Sequence, residues 1–366
     1  MNIKVKNCII SLLIVALLIP LTVFGYGSNV SVEFQEEVYS ARIIALLETM
    51  SYESSTTQVF EIEVLDDEYN DNTYEMRYTT TDNTNSNYLS VGNKINVVLV
   101  DNTDEINFYF YSYDKTGSLT LLVMLFVIMI LIVGGIKGLK ALISLILILV
   151  LIVYLLIPGL LQGYSPILLS VLICILSTIA TFVITNGFTK KTLIALIGVC
   201  GGLVIAGLFA YTFTNLCNIT GIISESEQML AYIDGAPNFD YRGLLFAGII
   251  IGALGACMDV AMELTSSLIE IKEHKNKIKE KDLIKSGFNI GKDILGTMVN
   301  TLILAYVGGS LTTLLLFVGF EKSFNQIINL DSISAEIIRS ISGSVGLLFT
   351  IPLTIFTFVL LDRKEK

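Results

Sequence analysis

Three carboxylates inside one strongly apolar stretch are the first candidates for chemistry in this sequence. Asp259, Glu263 and Glu270 lie in the run GIIIGALGACMDVAMELTSSLIE, which covers positions 248–270. Ionisable residues within a membrane-spanning helix are costly, so they usually face a cavity or the interior of a bundle, where they bind a cation or carry a proton. At about 100° per residue, the three acids fall on one face of a helix. The same face carries three glycines: Gly248, Gly252 and Gly255.

A second polar face lies in the next apolar stretch, which reads NIGKDILGTMVNT over positions 289–301. Asp293, Gly296 and Asn300 share one side of a helix there, because they are spaced by three and four residues. Thr297 lies beside them. The sequence therefore offers two neighbouring helices that each present acids or amides along one side.

The two polar faces are predicted to meet at one depth. Asp259 lies about 26 Å along the helix axis from Arg242, and Asn300 lies about 12 Å from Lys292. In antiparallel helices, both positions then fall in the half of the membrane nearer the cytoplasm. We therefore predict one intramembrane polar or ion site with five members: Asp259, Glu263, Asp293, Thr297 and Asn300. Small residues permit close helix contact, so four glycines are predicted packing positions: Gly248, Gly252, Gly255 and Gly296.

Three interpretations of this constellation compete. In the first, which we favour, the carboxylates bind an ion or relay a proton in transport. In the second, Asp259 is hydrogen-bonded between helices and only holds them together. In the third, Asp259 and Asp293 form the acid pair of an intramembrane aspartyl protease. That interpretation is the weakest, because such enzymes carry YD and GxGD motifs where this chain has Met258-Asp259 and Gly291-Lys292-Asp293. We therefore expect no enzyme activity.

The elements that would position these residues are long apolar helices. The chain has 366 residues, of which 53% are hydrophobic and 15% charged. A helix needs about 20 mostly apolar residues to cross the hydrocarbon core of a bilayer. The alternating ten-residue pattern of a membrane β-barrel is missing from the sequence. Eight apolar stretches are candidate helices: 8–24, 118–136, 141–161, 166–187, 192–213, 243–264, 294–318 and 337–361.

Positive charge predicts the orientation of these stretches, because cytoplasmic flanks of spanning helices retain Lys and Arg. With the N-terminus inside, sixteen of the 23 Lys and Arg residues fall in cytoplasmic segments. Seven lysines lie between positions 272 and 292 alone. We therefore expect both termini in the cytoplasm and residues 28–117 outside.

The chain divides into three predicted regions. Residues 1–27 are a signal peptide or an N-terminal anchor helix, since the first apolar stretch is short, contains Pro20 and precedes small residues suited to cleavage after Gly27. Residues 28–117 contain 17 Asp and Glu against four basic residues, which argues against nucleic-acid binding. Residues 118–366 hold seven spans. Alternating runs in the acidic region predict β-strands at 58–65, 74–80, 94–100 and 106–113.

No cofactor or metal site is predicted. His274 is the only histidine and lies in a Lys-rich polar segment, and the five cysteines form no CxxC pair. No G-x-x-x-x-G-K-[ST] phosphate loop occurs, so any transport would be secondary, channel-like or dependent on a partner. The expected partners are the lipid bilayer and an ion or small solute, with no nucleic acid.

Three motifs resemble those of the YibE/F family of bacterial multi-pass membrane proteins. They are GALGACMDVAM at 252–262, IGKDILGTMVNTLILAY at 290–306, and EIIR at 336–339 with Gly343-Ser344 and Ile351-Pro352 after it. The resemblance covers most of the chain from about Ala41 onwards, with Lys292 where an arginine is expected. It implies a multi-pass protein of the bacterial cytoplasmic membrane and assigns no substrate.

The expected fold is thus an α-helical integral membrane protein: a seven-helix bundle plus an N-terminal signal or anchor helix, with a small β-rich extracytoplasmic domain between them. Its expected function is that of a permease-like protein, a secondary transporter or channel, for an ion or small solute. The alternatives are a membrane scaffold or a binding protein that uses its external domain and, remotely, an intramembrane hydrolase. Near the external end of the last span, Glu336 and Arg339 are expected to form a local ion pair.

Overall fold

The computed structural model describes residues 38–52, 55–65, 73–81, 89–102, 105–233, 235, 237–275 and 278–363. The predicted signal or anchor helix at 1–27 lies outside these residues. The chain divides into two compact units. One is Val32–Ile132, which contains a β-barrel and the first part of a long helix, and the other contains the helices from Val133 onwards.

Five strands form a closed barrel in the order β1-β2-β3-β5-β4. Neighbouring strands are antiparallel, except that β3 and β5 run parallel. This order with one parallel pair is the Greek-key arrangement of an OB-fold barrel. The four strands predicted from alternating residues are confirmed as β2 to β5. The strand bounds are Val38–Tyr52 (β1), Ser55–Val64 (β2), Thr73–Thr81 (β3), Lys94–Asn102 (β4) and Glu105–Tyr113 (β5).

Alternate residues of these strands fill the barrel, because successive side chains of a strand point to opposite faces. Phe60 and Ile62 of β2 are fully buried and pack with Met76 of β3 and Phe108 of β5. The ring of Phe108 meets that of Tyr74 edge-on, with centroids 4.9 Å apart. Two register shifts interrupt the pairing of β1 with β2. Such bulges bend a strand, and β1 also pairs with β4 at its start, which closes the barrel.

Nine helices follow the barrel within the described residues. Six of them, α1, α2, α3, α5, α6 and α9, are long and apolar enough to cross a membrane. The architecture is therefore that of an α-helical, membrane-embedded protein. The helix bounds are Thr116–Leu161 (α1), Pro166–Asn186 (α2), Lys190–Leu216 (α3), Glu225–Leu230 (α4), Tyr241–His274 (α5), Glu280–Gly309 (α6), Leu311–Gly319 (α7), Phe324–Ile328 (α8) and Asp331–Arg363 (α9).

The helix α1 is long enough to hold two of the predicted spans. Its 46 residues amount to roughly 69 Å of helix at 1.5 Å per residue, against about 30 Å of hydrocarbon core. Gly135 interrupts it with a φ of 51° and a ψ of −132°, a conformation that glycine adopts readily because it lacks a Cβ. The predicted spans 118–136 and 141–161 lie largely on the two sides of this break. The count of seven spans stays a prediction.

The core of the helical unit is built from α3, α5 and α9. The close approach of α3 to α9 depends on Gly198 and Gly202. A Cβ on either glycine would lie 2.0 Å from a threonine Oγ1 of α9, that of Thr354 or Thr350 respectively. The Thr350 hydroxyl donates to the Gly346 carbonyl at 2.9 Å, and the Thr354 hydroxyl donates to the Thr350 carbonyl at 2.7 Å. The hydroxyls are therefore satisfied within α9, and the glycines leave room for them.

Candidate functional site on the polar faces of α5 and α6

The helix α5 places its three acids on one face and its core residues on another. It begins where the Asp240 side chain accepts a hydrogen bond from the Gly243 N–H at 2.9 Å, which satisfies one of the free donors at the helix start. The core face is apolar and packs with residues of α3 and α9. Its fully buried members include Ile249, Ala253, Cys257, Val260, Ala261 and Leu264.

The described residues do not show the predicted inward orientation of the polar face of α5. The helix packs its apolar face against residues of α3 and α9, and its acids and glycines lie on the outer surface of the described bundle. The exposed residues are Gly248, Gly252, Gly255, Asp259, Glu263 and Glu270.

The acids of this face have few partners. Asp259 and Glu263 lie one turn apart and interact electrostatically. Among the residues that the structure describes, neither they nor Asp293 makes a hydrogen bond or salt bridge. A side chain that only fastened two helices together would be buried and bonded to the second helix. Within the same residues, no cluster of three His, Cys, Asp or Glu side chains is suited to a metal ion.

The helix α6 carries the second predicted polar face and is also largely exposed. It packs on its neighbours through four buried residues: Leu283, Gly287, Gly291 and Ile294. All its predicted site residues are exposed: Asp293, Gly296, Thr297 and Asn300. The Thr297 hydroxyl donates to the Ile294 carbonyl at 2.9 Å, and the Asn300 amide donates to the Gly296 carbonyl at 3.1 Å. These two side chains are therefore held by hydrogen bonds to the backbone of their own helix.

An open cavity of about 470 Å³ lies between α6 and α9. Its polar lining is formed by Lys292, Asn300 and Ser344, with Gly296 in the wall of α6. Asp259 of α5 does not line this cavity. The structure thus brings Lys292 and Asn300 together, whereas the predicted grouping of Asp259, Thr297 and Asn300 is not found there.

Of the four glycines predicted as packing positions, Gly252 alone lies against another helix in the described structure. A Cβ on Gly252 would lie 2.7 Å from the hydroxyl oxygen of Tyr306 in α6. At Gly248, Gly255 and Gly296, no described heavy atom lies within 4 Å of such a Cβ. For these three, packing stays a prediction, since the described residues show no helix against them. The close contact of α3 with α9 uses other glycines.

A polar cluster that the sequence indicated only in part joins α6 to α9. Arg339 Nη1 donates to Glu336 Oε1 at 2.5 Å, which confirms the predicted ion pair. The Tyr306 hydroxyl interacts electrostatically with both side chains. Arg339 Nε is buried and meets no acceptor among the described residues. Tyr306 was missed because no spacing rule links it to a helix that begins far along the chain.

Salt bridges join the opposite end of α9 to α5 and α6. Lys272 of α5 pairs with Asp362. Arg363 Nε donates to both carboxylate oxygens of Glu280 in α6, each at 3.0 Å. These pairs lie beside the Lys-rich connection between α5 and α6. They fix the two helices that carry the polar faces against α9.

The sequence of this chain matches one protein-family model. The family model described as YibE/F-like protein matches residues 122–364, which is well over half of the chain. The chain belongs to the YibE/F-like family. No curated protein and no solved structure matches it. The YibE/F-like match begins within α1 and runs through α9, so it includes both polar faces and the Glu336–Arg339 pair. The five strands of the barrel lie outside it.

Proposed function

We propose that this YibE/F-like protein is a permease-like membrane protein, in which an ion or small polar solute crosses the bilayer along the polar faces of α5 and α6. The observation that carries the proposal is the exposure of Asp259 and Glu263 on a helix of membrane length. An Asp at the centre of a spanning helix costs about 2.5–3.5 kcal/mol in contact with lipid. An aqueous path beside this face removes that cost.

The same exposure disfavours the interpretation of Asp259 as a fastening between helices. Such a role needs a buried carboxylate with a donor on a second helix, because an unpaired buried carboxylate destabilises the fold. In the described chain, the Asp259 side chain is exposed and interacts with Glu263 of its own helix. The intramembrane hydrolase is disfavoured too, because an acid pair requires Asp293 to interact with Asp259, whereas the carboxylate that acts on Asp259 is that of Glu263.

The chemistry of the two faces favours a cation as the transported species. Asp259 and Glu263 present carboxylate oxygens one turn apart, and Asp293 and Asn300 present oxygens on the neighbouring helix. Hard cations take oxygen ligands of these kinds, and carboxylates also carry protons. In this proposal, the barrel lies outside the cytoplasmic membrane and both termini lie inside.

Flux through proteoliposomes tests the proposal. Purified full-length protein is reconstituted, and dissipation of K⁺, Na⁺, Mg²⁺ and H⁺ gradients is followed with fluorescent reporters. We expect at least one gradient to collapse, and Asp259→Asn to slow that collapse by about tenfold or more, which corresponds to about 1.4 kcal/mol. The matched control is Glu225→Gln, which removes one exposed charge from the short helix α4. Equal flux in Asp259→Asn and wild type would remove these acids from the pathway, and no flux of any tested ion would remove the cation proposal.

A second candidate function is ligand binding by the barrel. A cavity of about 320 Å³ lies on the outer face of β1, β2 and β3, the region that OB folds use for binding. Leu47, Met50 and Val59 form an apolar floor, and Glu75 and Arg77 provide charges at its edge. If binding is the function, Arg77→Gln abolishes a thermal shift given by a soluble ligand and leaves ion flux unchanged. A shift that survives this substitution places the ligand elsewhere.

A further inference from the structure

The uncovered face of α5 carries acids, whereas that of α6 carries lysines together with Asp293. Glu263 and Glu270 are exposed on α5, and Lys285 and Lys292 are exposed on α6. None of the four forms a salt bridge with another described residue. Two helices of membrane length thus present two acids on α5 and two lysines on α6 that have no salt-bridge partner among the described residues.

These charges lie at matching depths. The connection between α5 and α6 is short, so distances along each helix can be measured from it. Glu263 lies roughly 16 Å before the end of α5, and Lys292 lies roughly 18 Å after the start of α6. Glu270 and Lys285 lie roughly 6 Å and 8 Å from the same ends. Each acid therefore has a base at its own level in the membrane.

Within the described residues of one chain, these acids and lysines do not form salt bridges with each other. The helix α6 turns Leu283, Gly287 and Gly291 toward its neighbours, which leaves its charged side out. Lys292 lines the cavity between α6 and α9 and not a contact with α5. Glu263 lies on the exposed side of α5. The partners of these charges must therefore come from outside the described residues or be water.

We infer that a second copy of this chain covers the polar faces of α5 and α6, with Glu263 of each protomer facing Lys292 of the other. A two-fold axis along the membrane normal keeps every residue at its own depth, and in such a dimer each contact occurs twice. The matched levels of Glu263 with Lys292 and of Glu270 with Lys285 satisfy this symmetry. Charge complementarity of this kind fixes the register of an interface.

The surface between the charges is suited to close contact. A Cβ at Gly248, Gly255 or Gly296 would meet no described atom within 4 Å, so these positions are open to another helix. Small residues let the backbones of spanning helices approach. The dimer thereby gives a packing role to the three glycines that meet no described atom within 4 Å.

A further consequence of the dimer rests on the proposed function: if ions pass along α5 and α6, the second copy completes their path. With a second copy in place, Asp259 and Asp293 face a shared space between protomers and not lipid. Dimer formation and ion flux are measured in separate experiments. A dimer that conducts no ion leaves the inference standing, and a monomer that conducts removes it and leaves the proposed function.

The test is a charge exchange between two copies of the full-length protein in lipid nanodiscs or mild detergent, with assembly measured by light scattering and by co-purification of two tags. We expect wild type to be a dimer. Glu263→Lys alone and Lys292→Glu alone each replace two attractive pairs by two repulsive ones, so each raises the dimer Kd by about tenfold or more. Co-expression of the two variants restores a mixed dimer, because both pairs are attractive again. Glu225→Lys on α4 is the control and leaves the dimer unchanged.

Three results overturn the inference. Wild type that is monomeric at every concentration removes the dimer. A dimer that neither single variant weakens places the interface elsewhere. Rescue by both substitutions in one chain, without rescue by mixing, assigns the pair to a single protomer.

A cross-linking experiment tests the same interface without charge-reversal variants, which could fail to fold. Copies with Glu263→Cys and copies with Lys292→Cys, in a chain whose native cysteines are serine, are co-expressed and treated with a short bis-maleimide in membranes. A mixed-tag dimer band supports the inference. Absence of that band, while a Glu225→Cys copy gives the same background, contradicts it.

Discussion

A Cβ on Gly202 of α3 would lie 2.0 Å from the Thr350 hydroxyl oxygen of α9 and 2.7 Å from the Gly346 carbonyl oxygen. Because the second of these atoms is backbone, Gly202→Ala must move one helix away from the other. We expect the variant to lose about 1–3 kcal/mol of stability, the usual cost of overpacking. Thermal unfolding of the detergent-solubilised protein measures the loss.

The matched control for this contact is Gly134→Ala in α1, where a Cβ would meet nothing within 4 Å. Alanine is a better helix former than glycine by about 1 kcal/mol, so this variant keeps or raises the unfolding temperature. If both variants unfold at the same temperature as wild type, α3 and α9 do not approach each other as the structure shows.

The strands of the barrel show how far sequence patterns reach. β2 to β5 were predicted because polar and apolar residues alternate and turn residues bound each run. β1 was missed, since its stretch around Ala45, Leu46, Leu47 and Glu48 is rich in residues that favour helices. Its strand conformation comes from pairing with β2 and β4, which are distant in sequence. Such long-range pairing overrides local propensity.

The polar face of α5 shows what periodicity leaves open. The spacing placed Gly252, Asp259 and Glu263 on one side of a helix correctly, as all three are exposed together. It gave no means to decide which side faces the bundle, because that depends on the surfaces of α3 and α9. Within the described residues, the glycines at 198 and 202 pack against another helix and those at 248 and 255 do not, although both pairs occur in apolar helices. Whether a glycine packs depends on the position of the neighbouring helix, which a single sequence does not reveal.

The Arg339–Glu336 pair gives a second stability prediction. The two side chains are 22% and 24% exposed, so removal of one leaves a charge poorly solvated. We expect Arg339→Gln to destabilise the protein by about 1–3 kcal/mol. The substitution Arg242→Gln is a control at an exposed position, where the guanidinium meets Asn215 at 3.3 Å, and we expect little change.

The double variant Glu336→Gln with Arg339→Gln completes this cycle. If the charges interact as the structure shows, the double variant is more stable than the sum of the two single losses predicts, by about 0.5–3 kcal/mol. Strict additivity in unfolding experiments would show that the two side chains do not interact.

Asp114, at the start of α1, is predicted to make the stability of the protein depend on pH. Asp114 Oδ1 accepts a hydrogen bond from the Thr116 N–H at 2.9 Å. Hydrogen bonds from the Thr116 side chain and backbone lower the pKa of the Asp114 carboxyl, because they favour its charged form. The resulting stabilisation is present above the unfolded-state pKa and is lost as the pH falls through the lowered value.

Carboxyl-detected NMR titration of the full-length protein in micelles checks this. Asp114 should titrate below about 3.9, the ordinary pKa of Asp. Thr116→Ala removes the side-chain donor, so it should raise the Asp114 pKa toward that value. An Asp114 pKa at or above the ordinary value in wild type would show that the cap does not form.

Labelling of position 259 from water is the most direct test of the proposed ion path along α5. In a chain whose five native cysteines are replaced by serine, Asp259→Cys is treated in native membranes with a charged maleimide that labels only hydrated thiols. The control is Val204→Cys in α3. The Val204 side chain is apolar and 63% exposed, and it faces lipid in the proposed arrangement. We predict rapid labelling at position 259 and slow labelling at 204. Equal and slow labelling at both positions would contradict an aqueous path along α5.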